Sequence, residues 1–256
     1  MLKYYAMSTS STATKQRRAF VTGGSSGIGF AIAKAFASEG YNVIIAGRTV
    51  SRLEESGFTF VEMDVTDEQS VIHGVKAAGP IDVFIANAGA AATAPALKTN
   101  RETWDQMIAV NLTSAYLCAR EALPQMVDRG WGRFIAIAST SSLKGYAYTG
   151  AYAAAKHGVL GWVRTLALEL AKTGVTANAI CPGFTDTQLV DDALDNIIAK
   201  TGRARDDALK ALVKDNPMGR LIAPEEVASA TLWLASDGAA SVNGQAITID
   251  GGETIT

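Results

Sequence analysis

Tyr152 and Lys156 stand four residues apart in an alanine-rich segment. On a helix, this spacing places both side chains on one face. An ammonium group beside a phenol stabilises the phenolate and so lowers the tyrosine pKa from about 10. A phenol tuned in this way can exchange a proton with an alcohol or carbonyl oxygen near neutral pH. The pair therefore predicts acid–base chemistry, although a solvated pair on a helix surface has the same spacing.

Ser139 lies thirteen residues before Tyr152, at the end of the apolar run Phe134–Ala138. A run of this kind predicts a buried strand. The hydroxyl at the end of that strand could hold the same substrate oxygen as the phenol. We therefore predict Ser139, Tyr152 and Lys156 as catalytic residues.

A glycine-rich turn between a predicted strand and a predicted helix is the second candidate site. Its glycines, Gly23, Gly27 and Gly29, allow a tight turn and a close approach of the backbone to a ligand. The start of the following helix offers N–H groups and a positive dipole end to a pyrophosphate. We predict that a dinucleotide binds at Gly23, Ser25, Ser26, Gly27, Ile28 and Gly29.

The same turn also contains Gly-x-Ser-x-Gly, the pattern of a hydrolase nucleophile elbow around Ser25. That alternative needs a histidine after the acid, and the two histidines, His73 and His157, both fall in predicted helices. In addition, only one predicted strand precedes Ser25, whereas a hydrolase fold normally has several strands before this turn. The sequence therefore favours cofactor binding.

The end of the second predicted strand bears on the choice between NAD and NADP. An acidic residue there would bind the adenosine ribose of NAD. The chain has Arg48 and Thr49 instead, which predicts a contact to the 2′-phosphate of NADP(H). A surface arginine at the end of a strand is the alternative.

The composition limits the possible classes of protein. The 256 residues are 48% hydrophobic and 19% charged, with a net charge of −2, so a substantial core is expected. We expect neither a nucleic-acid nor a membrane partner. Cys118 and Cys181 lie in apolar segments and predict buried free thiols, which favours a cytoplasmic location. No metal-binding spacing is present, and we predict no metal.

The first residues differ from the rest. Residues 1–16 are polar and without periodicity, and they predict a disordered tail in which Met7 is the expected natural start. Their pattern is not that of a secretory signal. Residues 17–256 contain no linker or repeat and predict one domain.

From Ala19 to Ile249, short apolar runs alternate with helix-period segments, which predicts a doubly wound α/β sheet. The predicted strands are Ala19–Val21, Asn42–Ala46, Thr59–Glu62, Val83–Ala86, Arg133–Ala138, Thr176–Ile180 and Ala246–Ile249. The predicted helices are Gly27–Ser38, Asp67–Ala78, Arg101–Asp128, Ala151–Thr173 and Pro224–Ala235. Between Arg48 and Thr59 there is room for a helical turn or two.

The glycine turn, Ser139, Tyr152 and Lys156 follow one another in this order along the chain. In this arrangement the chain resembles the short-chain dehydrogenase/reductase family, in its compact single-domain branch. Ala86-Asn-Ala-Gly89 is similar to the family's Asn-Asn-Ala-Gly, with alanine for the first asparagine. The resemblance implies a Rossmann-like domain with a seven-stranded parallel sheet and helices on both faces. It also implies cofactor contacts by Asp64, Val65, Asn87, Ala88, Gly89, Tyr152, Lys156, Pro182, Gly183, Phe184, Thr185 and Thr187.

The resemblance implies hydride transfer between NADPH and a ketone. Tyr152 would protonate the oxygen, Ser139 would orient it, and Lys156 would lower the pKa of Tyr152. Asn111 would hold a water molecule of a proton relay that starts at Lys156. We therefore count Asn111 among the catalytic residues. Ser141, Ser142, Tyr146 and Tyr148 are expected in the loop or pocket wall.

The segments 138–145 and 181–184 resemble 3-oxoacyl-thioester reductases and polyketide ketoreductases. The alternatives are a 3-hydroxy-acid or secondary-alcohol dehydrogenase and, in another class, a non-catalytic dinucleotide sensor. Seven basic residues could contact coenzyme A or a carrier protein. A solvated helix face or ordinary helix capping explains their positions equally well. These residues are Arg129, Lys172, Lys200, Arg203, Arg205, Lys210 and Lys214.

Two further expectations concern helices. Apolar residues at helical spacing after Thr187 either form a lid that closes over an acyl chain or pack on the core; they are Leu189, Val190, Leu194, Ile197 and Ile198. The two long predicted helices carry more apolar residues than one sheet face can bury, which predicts a homotetramer. Those residues are Leu112, Tyr116, Leu117, Leu123, Val159, Leu160, Trp162, Leu166 and Leu168.

Overall fold

The computed structural model describes residues 16–255, apart from the side chain of Lys200. The predicted disordered tail therefore lies almost wholly outside the described residues, and so does Met7. Gln16 is described, and its side-chain amide donates to the carbonyl oxygen of Gly40 at 2.6 Å.

Within the described residues, seven strands form one parallel sheet in the order β3-β2-β1-β4-β5-β6-β7. They are β1 (Arg18–Thr22), β2 (Asn42–Gly47), β3 (Thr59–Glu62), β4 (Val83–Ala86), β5 (Gly132–Ile137), β6 (Val175–Pro182) and β7 (Ala246–Ile249). Every residue of β5 and β6 is buried, as expected for parallel strands that are covered on both faces. The predicted fold class is confirmed.

Helices cover both faces of the sheet. Those described are α1 (Gly27–Ser38), α2 (Val50–Glu55), α3 (Glu68–Ala78), α4 (Arg101–Ile108), α5 (Ser114–Arg129), α6 (Gly150–Leu170), α7 (Gln188–Thr201), α8 (Arg205–Leu212) and α9 (Pro224–Ala235). Helices α1 and α9 pack on one face, and α3, α5 and α6 on the other. Phe20, Phe84 and Phe134 form cross-strand pairs on the second face, with ring centroids 5.2 and 5.9 Å apart. Each such pair contributes roughly 0.5–1.5 kcal/mol beyond its buried area.

The strand order places a crevice at the carboxyl edge of the sheet. The chain leaves β1 toward β2 on one side, whereas β4 lies on the other side of β1. In open α/β sheets, ligands bind where the order reverses in this way. The glycine turn follows β1 and Asn87 follows β4, so both lie at this position.

The predicted helix Arg101–Asp128 is interrupted, which corrects the sequence-based expectation. A π-helical turn, Ala109–Thr113, separates α4 from α5. Inside it, the Asn111 amide donates to the carbonyl oxygen of Met107 at 3.0 Å. Turns of this kind occur often at functional sites, and this one carries a predicted catalytic residue.

Other boundaries differ by one to three residues. Helix α3 begins at Glu68, because Asp67 is its N-cap and accepts from the backbone N–H of Ser70 at 2.7 Å. Helix α6 ends at Leu170 rather than Thr173, and β6 continues to Pro182.

Helices α7 and α8 form a hairpin with its own apolar cluster. Val190 and Leu194 of α7 are buried there with Ala208 of α8. The apolar face predicted either to close over an acyl chain or to pack on the core therefore packs mainly within the hairpin. Leu189, which remains 49% exposed, is the member of that set that lines the neighbouring cleft.

Candidate active site

A cleft of about 340 Å³ lies at the carboxyl edge of the sheet. Its volume falls in the range of small-molecule sites. It brings together most of the predicted site residues: Gly23, Ser25, Ser26, Gly27, Ile28, Gly29, Arg48, Thr49, Asp64, Val65, Asn87, Ala88, Gly89, Asn111, Tyr152, Lys156 and Thr187. Ser139 and four residues at the exit of β6 lie outside its lining; the four are Pro182, Gly183, Phe184 and Thr185.

The glycine turn has the backbone that a bound pyrophosphate needs. Gly23 and Gly27 have φ of +66° and +51°, in the left-handed region that favours glycine. A Cβ on Gly29 would lie 2.5 Å from Asn87 Nδ2 and still closer to the Gly23 carbonyl oxygen. Helix α1 therefore approaches the turn as closely as a glycine allows, and its N-terminal N–H groups face a cradle that side chains do not fill.

We expect the Gly29→Ala variant to bind NADPH at least about fivefold more weakly than the unaltered protein. The added methyl group must displace the turn, and overpacking of this kind typically costs about 1–3 kcal/mol. Cofactor fluorescence titration measures the dissociation constant.

Gly238→Ala is the matched control for that variant, because its Cβ would meet only the Ser236 hydroxyl at 3.5 Å, an ordinary contact. Equal affinities of Gly29→Ala and Gly238→Ala for NADPH would contradict the assignment of the turn.

Thr22 joins the ends of β1 and β4 beneath the cleft. Its hydroxyl accepts from the backbone N–H groups of Asn87 and Ala88, both at 3.0 Å. The Asn87 amide donates back to the Thr22 carbonyl oxygen at 2.8 Å. This network fixes the Asn-Ala-Gly segment against the glycine turn, a role of Thr22 that the sequence analysis missed.

Two arginines line the adenosine end of the cleft. Arg48 follows β2 as predicted, and Arg52, which the sequence analysis overlooked, lies four residues later in α2. Burial raises the pKa of Asp64, but hydrogen bonds from Thr66 and the charge of Arg48 lower it more, so the net pKa is below its usual value. The region is therefore suited to a phosphate group held by arginines.

Tyr152 and Lys156 lie on α6, as the spacing predicted, and Ser139 follows β5. The Ser139 hydroxyl lies beside the Tyr152 phenol, whose pKa it lowers, and it accepts from the Ser141 backbone N–H at 3.1 Å. Lys156 Nζ donates to the Ile137 carbonyl oxygen at 2.9 Å and lies 5.7 Å from the centroid of the Tyr152 ring. The structure thus brings the three residues into one cluster at the end of the cleft.

Burial dominates the electrostatics of this cluster. Burial raises the pKa of Tyr152, and the hydrogen bond from Ser139 offsets this only in part. Lys156, which was predicted to lower the pKa of Tyr152, donates to a backbone carbonyl, and burial lowers its own pKa to about 8.

Asn111 holds the Asn-Ala-Gly segment from the other side. Its amide donates to the Ala90 carbonyl oxygen at 2.9 Å, and its Oδ1 would lie 2.7 Å from a Cβ on Gly89. Beside it, an internal cavity of about 10 Å³ is lined by Asn111, Ser114 and Lys156 among others. That volume is close to the space that one water needs.

Comparisons with known proteins agree with this geometry. The sequence model of a family described as enoyl-(acyl carrier protein) reductase matches residues 23–254. The chain belongs to the short-chain dehydrogenase/reductase family. As a member of this family, it is an oxidoreductase that acts on hydroxyl or keto groups and uses NAD(P).

Three similar proteins match this chain over nearly its whole length. A D-β-hydroxybutyrate dehydrogenase from Cupriavidus necator is 37% identical over 250 residues, which are 92% of this chain and 97% of that one. An acetoacetyl-CoA reductase from Rhizobium meliloti is 36% identical over 246 residues, 93% and 98% of the two chains. A crystal structure of an actinorhodin polyketide ketoreductase variant with NADPH superposes with a TM-score of 0.88 at 32% identity, covering 94% and 98%.

Family membership removes the alternative of a hydrolase centred on Ser25. The non-catalytic dinucleotide sensor was considered as a member of this same family, and the relatives named as dehydrogenases and reductases favour an enzyme instead. Among residues 16–255, no cluster of acidic, histidine or cysteine side chains could hold a metal ion. In the same range, no helix combines the length and apolar character needed to cross a membrane.

Two of the seven basic residues considered for coenzyme A or a carrier protein are engaged elsewhere in the subunit. Arg205 pairs with Asp191 and with Asp195, the latter at 3.1 Å. Arg129 lies at the opposite edge of the sheet, where it binds the Ile81 carbonyl oxygen and Asp82. These contacts favour structural roles for both arginines.

Proposed function

We propose that the protein is an NADPH-dependent ketoreductase that acts on a 3-oxoacyl thioester or a related β-keto compound. The observation that carries the proposal is the cluster of Ser139, Tyr152 and buried Lys156 at the end of a cleft with the features of a dinucleotide site. An acetoacetyl-CoA reductase and a polyketide ketoreductase with NADPH among the similar proteins support the substrate class and the cofactor.

The residues fit an NADP(H) molecule along the cleft. The glycine turn would hold the pyrophosphate, Arg48, Thr49 and Arg52 the 2′-phosphate, and Asp64 and Val65 the adenine. Other contacts would come from Asn87, Ala88, Gly89, Tyr152, Lys156, Pro182, Gly183, Phe184, Thr185 and Thr187. The reduced nicotinamide supplies the hydride when it is bound.

The protein's own residues manage the substrate oxygen and its proton. Tyr152 donates its phenolic proton to the oxygen as the carbonyl is reduced, and Ser139 orients that oxygen and stabilises its developing charge. Lys156 then stabilises the phenolate. A water in the cavity between Asn111 and Lys156 would return a proton toward Tyr152. The oxidation of an alcohol follows the same steps in reverse.

A second candidate is oxidation of a 3-hydroxy acid. The 37% identity to a D-β-hydroxybutyrate dehydrogenase favours it. One panel separates the candidates: initial rates with NADPH and NADH on acetoacetyl-CoA, a β-keto ester, acetoacetate and a simple ketone, and the reverse rates on the matching alcohols. The fastest rates with NADPH on the thioester or the ester support our proposal. A preference for acetoacetate and NADH would favour the dehydrogenase.

We also propose that residues 17–256 form one catalytic domain in the cytoplasm, where Cys118 and Cys181 stay reduced. Both thiols are buried and free. The small molecules bound would be the cofactor and a carbonyl or alcohol substrate.

We propose that the protein assembles as a homotetramer. The argument rests on the apolar side chains that remain exposed on the subunit, rather than on the number of apolar residues in the two long helices. Leu117, Leu123, Val159, Leu160 and Leu166 are buried within the subunit. Four of the exposed apolar side chains lie on helices that cover the two faces of the sheet. Trp104, Tyr116 and Leu168 lie on α4–α6, and Trp233 lies on α9, which covers the other face. Two separate patches, each paired across a two-fold axis, give a tetramer.

We expect light scattering after size-exclusion chromatography to give four times the subunit mass for the unaltered protein and a dimer for Leu168→Glu. Leu168 is 82% exposed, so the charge should break one interface without unfolding the subunit. Lys76→Glu, on an exposed helix end outside both patches, is the control. A monomer for the unaltered protein would contradict the assembly.

A further inference from the structure

A buried carboxylate lies in the short segment that follows β7. Glu253 is 1% exposed, and its carboxylate accepts a hydrogen bond from the Tyr146 hydroxyl. Lys144 Nζ lies 3.5 Å from the same carboxylate and donates to the Glu253 carbonyl oxygen at 3.1 Å. Tyr146 and Lys144 both belong to the loop between β5 and α6, which connects Ser139 to Tyr152. The segment after β7 is thus attached to the loop that carries the catalytic serine.

The direction of the hydrogen bonds can be derived from the chemistry. The phenol of Tyr146 has one proton, and an ionised carboxylate can only accept. The proton therefore goes to Glu253, and the Thr140 hydroxyl, 2.8 Å from the Tyr146 oxygen, acts as the donor to it. Thr140 directly follows Ser139, whose hydroxyl accepts from the backbone of the same turn. A continuous chain of contacts therefore runs from Glu253 to the neighbour of the catalytic serine.

Glu253 also contacts the exit of β6. A Cβ on Gly183 would lie 3.2 Å from Glu253 Oε2, and the Tyr146 ring packs edge-on against Phe184 with centroids 6.2 Å apart. Asp250 rigidifies the segment, because its carboxylate accepts from the backbone N–H groups of Gly252 at 3.0 Å and Thr254 at 2.9 Å. The carboxylate is thus held between the exit of β6, where cofactor contacts are predicted, and the loop that carries Ser139.

We propose that Glu253 is a positioning residue that sets the orientation of the Thr140–Tyr146 loop, and hence the face from which the ketone meets the hydride. This proposal rests on the proposed function for its kinetic consequences, but the geometry of the loop can be measured without any substrate.

The kinetic test compares Glu253→Gln, Tyr146→Phe and the double variant. Each single change should raise KM for the ketone about tenfold, the size expected for one charge-assisted hydrogen bond, and should lower the enantiomeric excess of the product alcohol. Because both residues act through one bond, the double variant should be no worse than the more impaired single one. Affinity for NADPH should change less than twofold. Glu39→Gln and Tyr41→Phe, far from the site, are the matched controls.

The second measurement is hydrogen–deuterium exchange in the free protein. Amides of residues 140–148 should exchange faster in both single variants, while those of β5 and β6 remain protected. Unchanged exchange and unchanged enantiomeric excess would overturn the proposal. An unaltered protein that reduces no ketone would instead contradict the proposed function and leave the exchange result to decide this one. If Glu253→Gln does not fold, Tyr146→Phe, which keeps the ring and its contact with Phe184, decides both measurements.

Discussion

Replacing Tyr152 with phenylalanine is expected to lower kcat by roughly 10²–10⁴ while the affinity for NADPH stays nearly unchanged. The phenol is the proposed proton donor to the substrate oxygen, and the neighbouring Ser139 hydroxyl has no comparable acidity. The phenyl ring keeps the packing of α6 in place. Single-turnover reduction measures the chemical step directly, and cofactor titration measures the binding.

Tyr41→Phe is the control for this experiment, because Tyr41 packs on Phe36 near the opposite edge of the sheet. A Tyr152→Phe protein that keeps more than about a tenth of the unaltered rate, with chemistry limiting, would show that another group is the acid. Ser139 would then be the next residue to replace.

Replacing Arg48 with aspartate should raise KM for NADPH tenfold to a hundredfold relative to KM for NADH. A charge-assisted contact to a phosphate is worth roughly 1.5–3 kcal/mol. The new carboxylate would also lie near Asp64, whose pKa is lowered by the charge of Arg48. The ratio of the two KM values, taken with one substrate, removes effects on folding or on the amount of active protein.

Lys76→Asp, which makes the same charge reversal at the far end of α3, serves as the control. An unchanged NADPH/NADH ratio in Arg48→Asp would place the phosphate elsewhere, at Arg52, Ser25 or Ser26, or would mean that the enzyme uses NAD. Arg52→Asp, made in parallel, separates these outcomes.

The sheet could be predicted well because its strands are short apolar runs with turn residues at their ends. Parallel strands that are buried on both faces leave little choice of register or element type, and four of the seven predicted strands differ from the observed ones by only one or two residues at an end. The glycine turn, Arg48, Tyr152 and Lys156 could be located for a related reason. The glycine turn and Arg48 each follow a strand, and Tyr152 and Lys156 are one helical turn apart. The local sequence therefore determines where they lie.

The features that could not be predicted depend on contacts between distant segments. The π-helical turn at Asn111 is held by Ala90, more than twenty residues earlier, and helical periodicity cannot reveal such a contact. The apolar face of α7 was placed correctly, but its partner, Ala208 of α8, depends on how the hairpin closes. Glu253 joins a loop about a hundred residues away. The pKa of Tyr152 depends on burial, which the spacing of residues does not report.

The buried ammonium of Lys156 has a consequence for the folding free energy. Burial lowers the pKa of Lys156 from 10.5 to about 8. Below pH 8, the folded and unfolded chains both carry the proton, so the native state bears the full cost of a buried charge, on the order of 3 kcal/mol. That cost declines as the pH rises from 8 to 10.5 and is absent above it. The charge on Lys156 therefore makes the folded state less stable at neutral pH than it is above pH 10.5, where this side chain is neutral in both states. Any ligand that accepts a hydrogen bond from this ammonium recovers part of the difference, so cofactor affinity and thermal stability are coupled through one side chain.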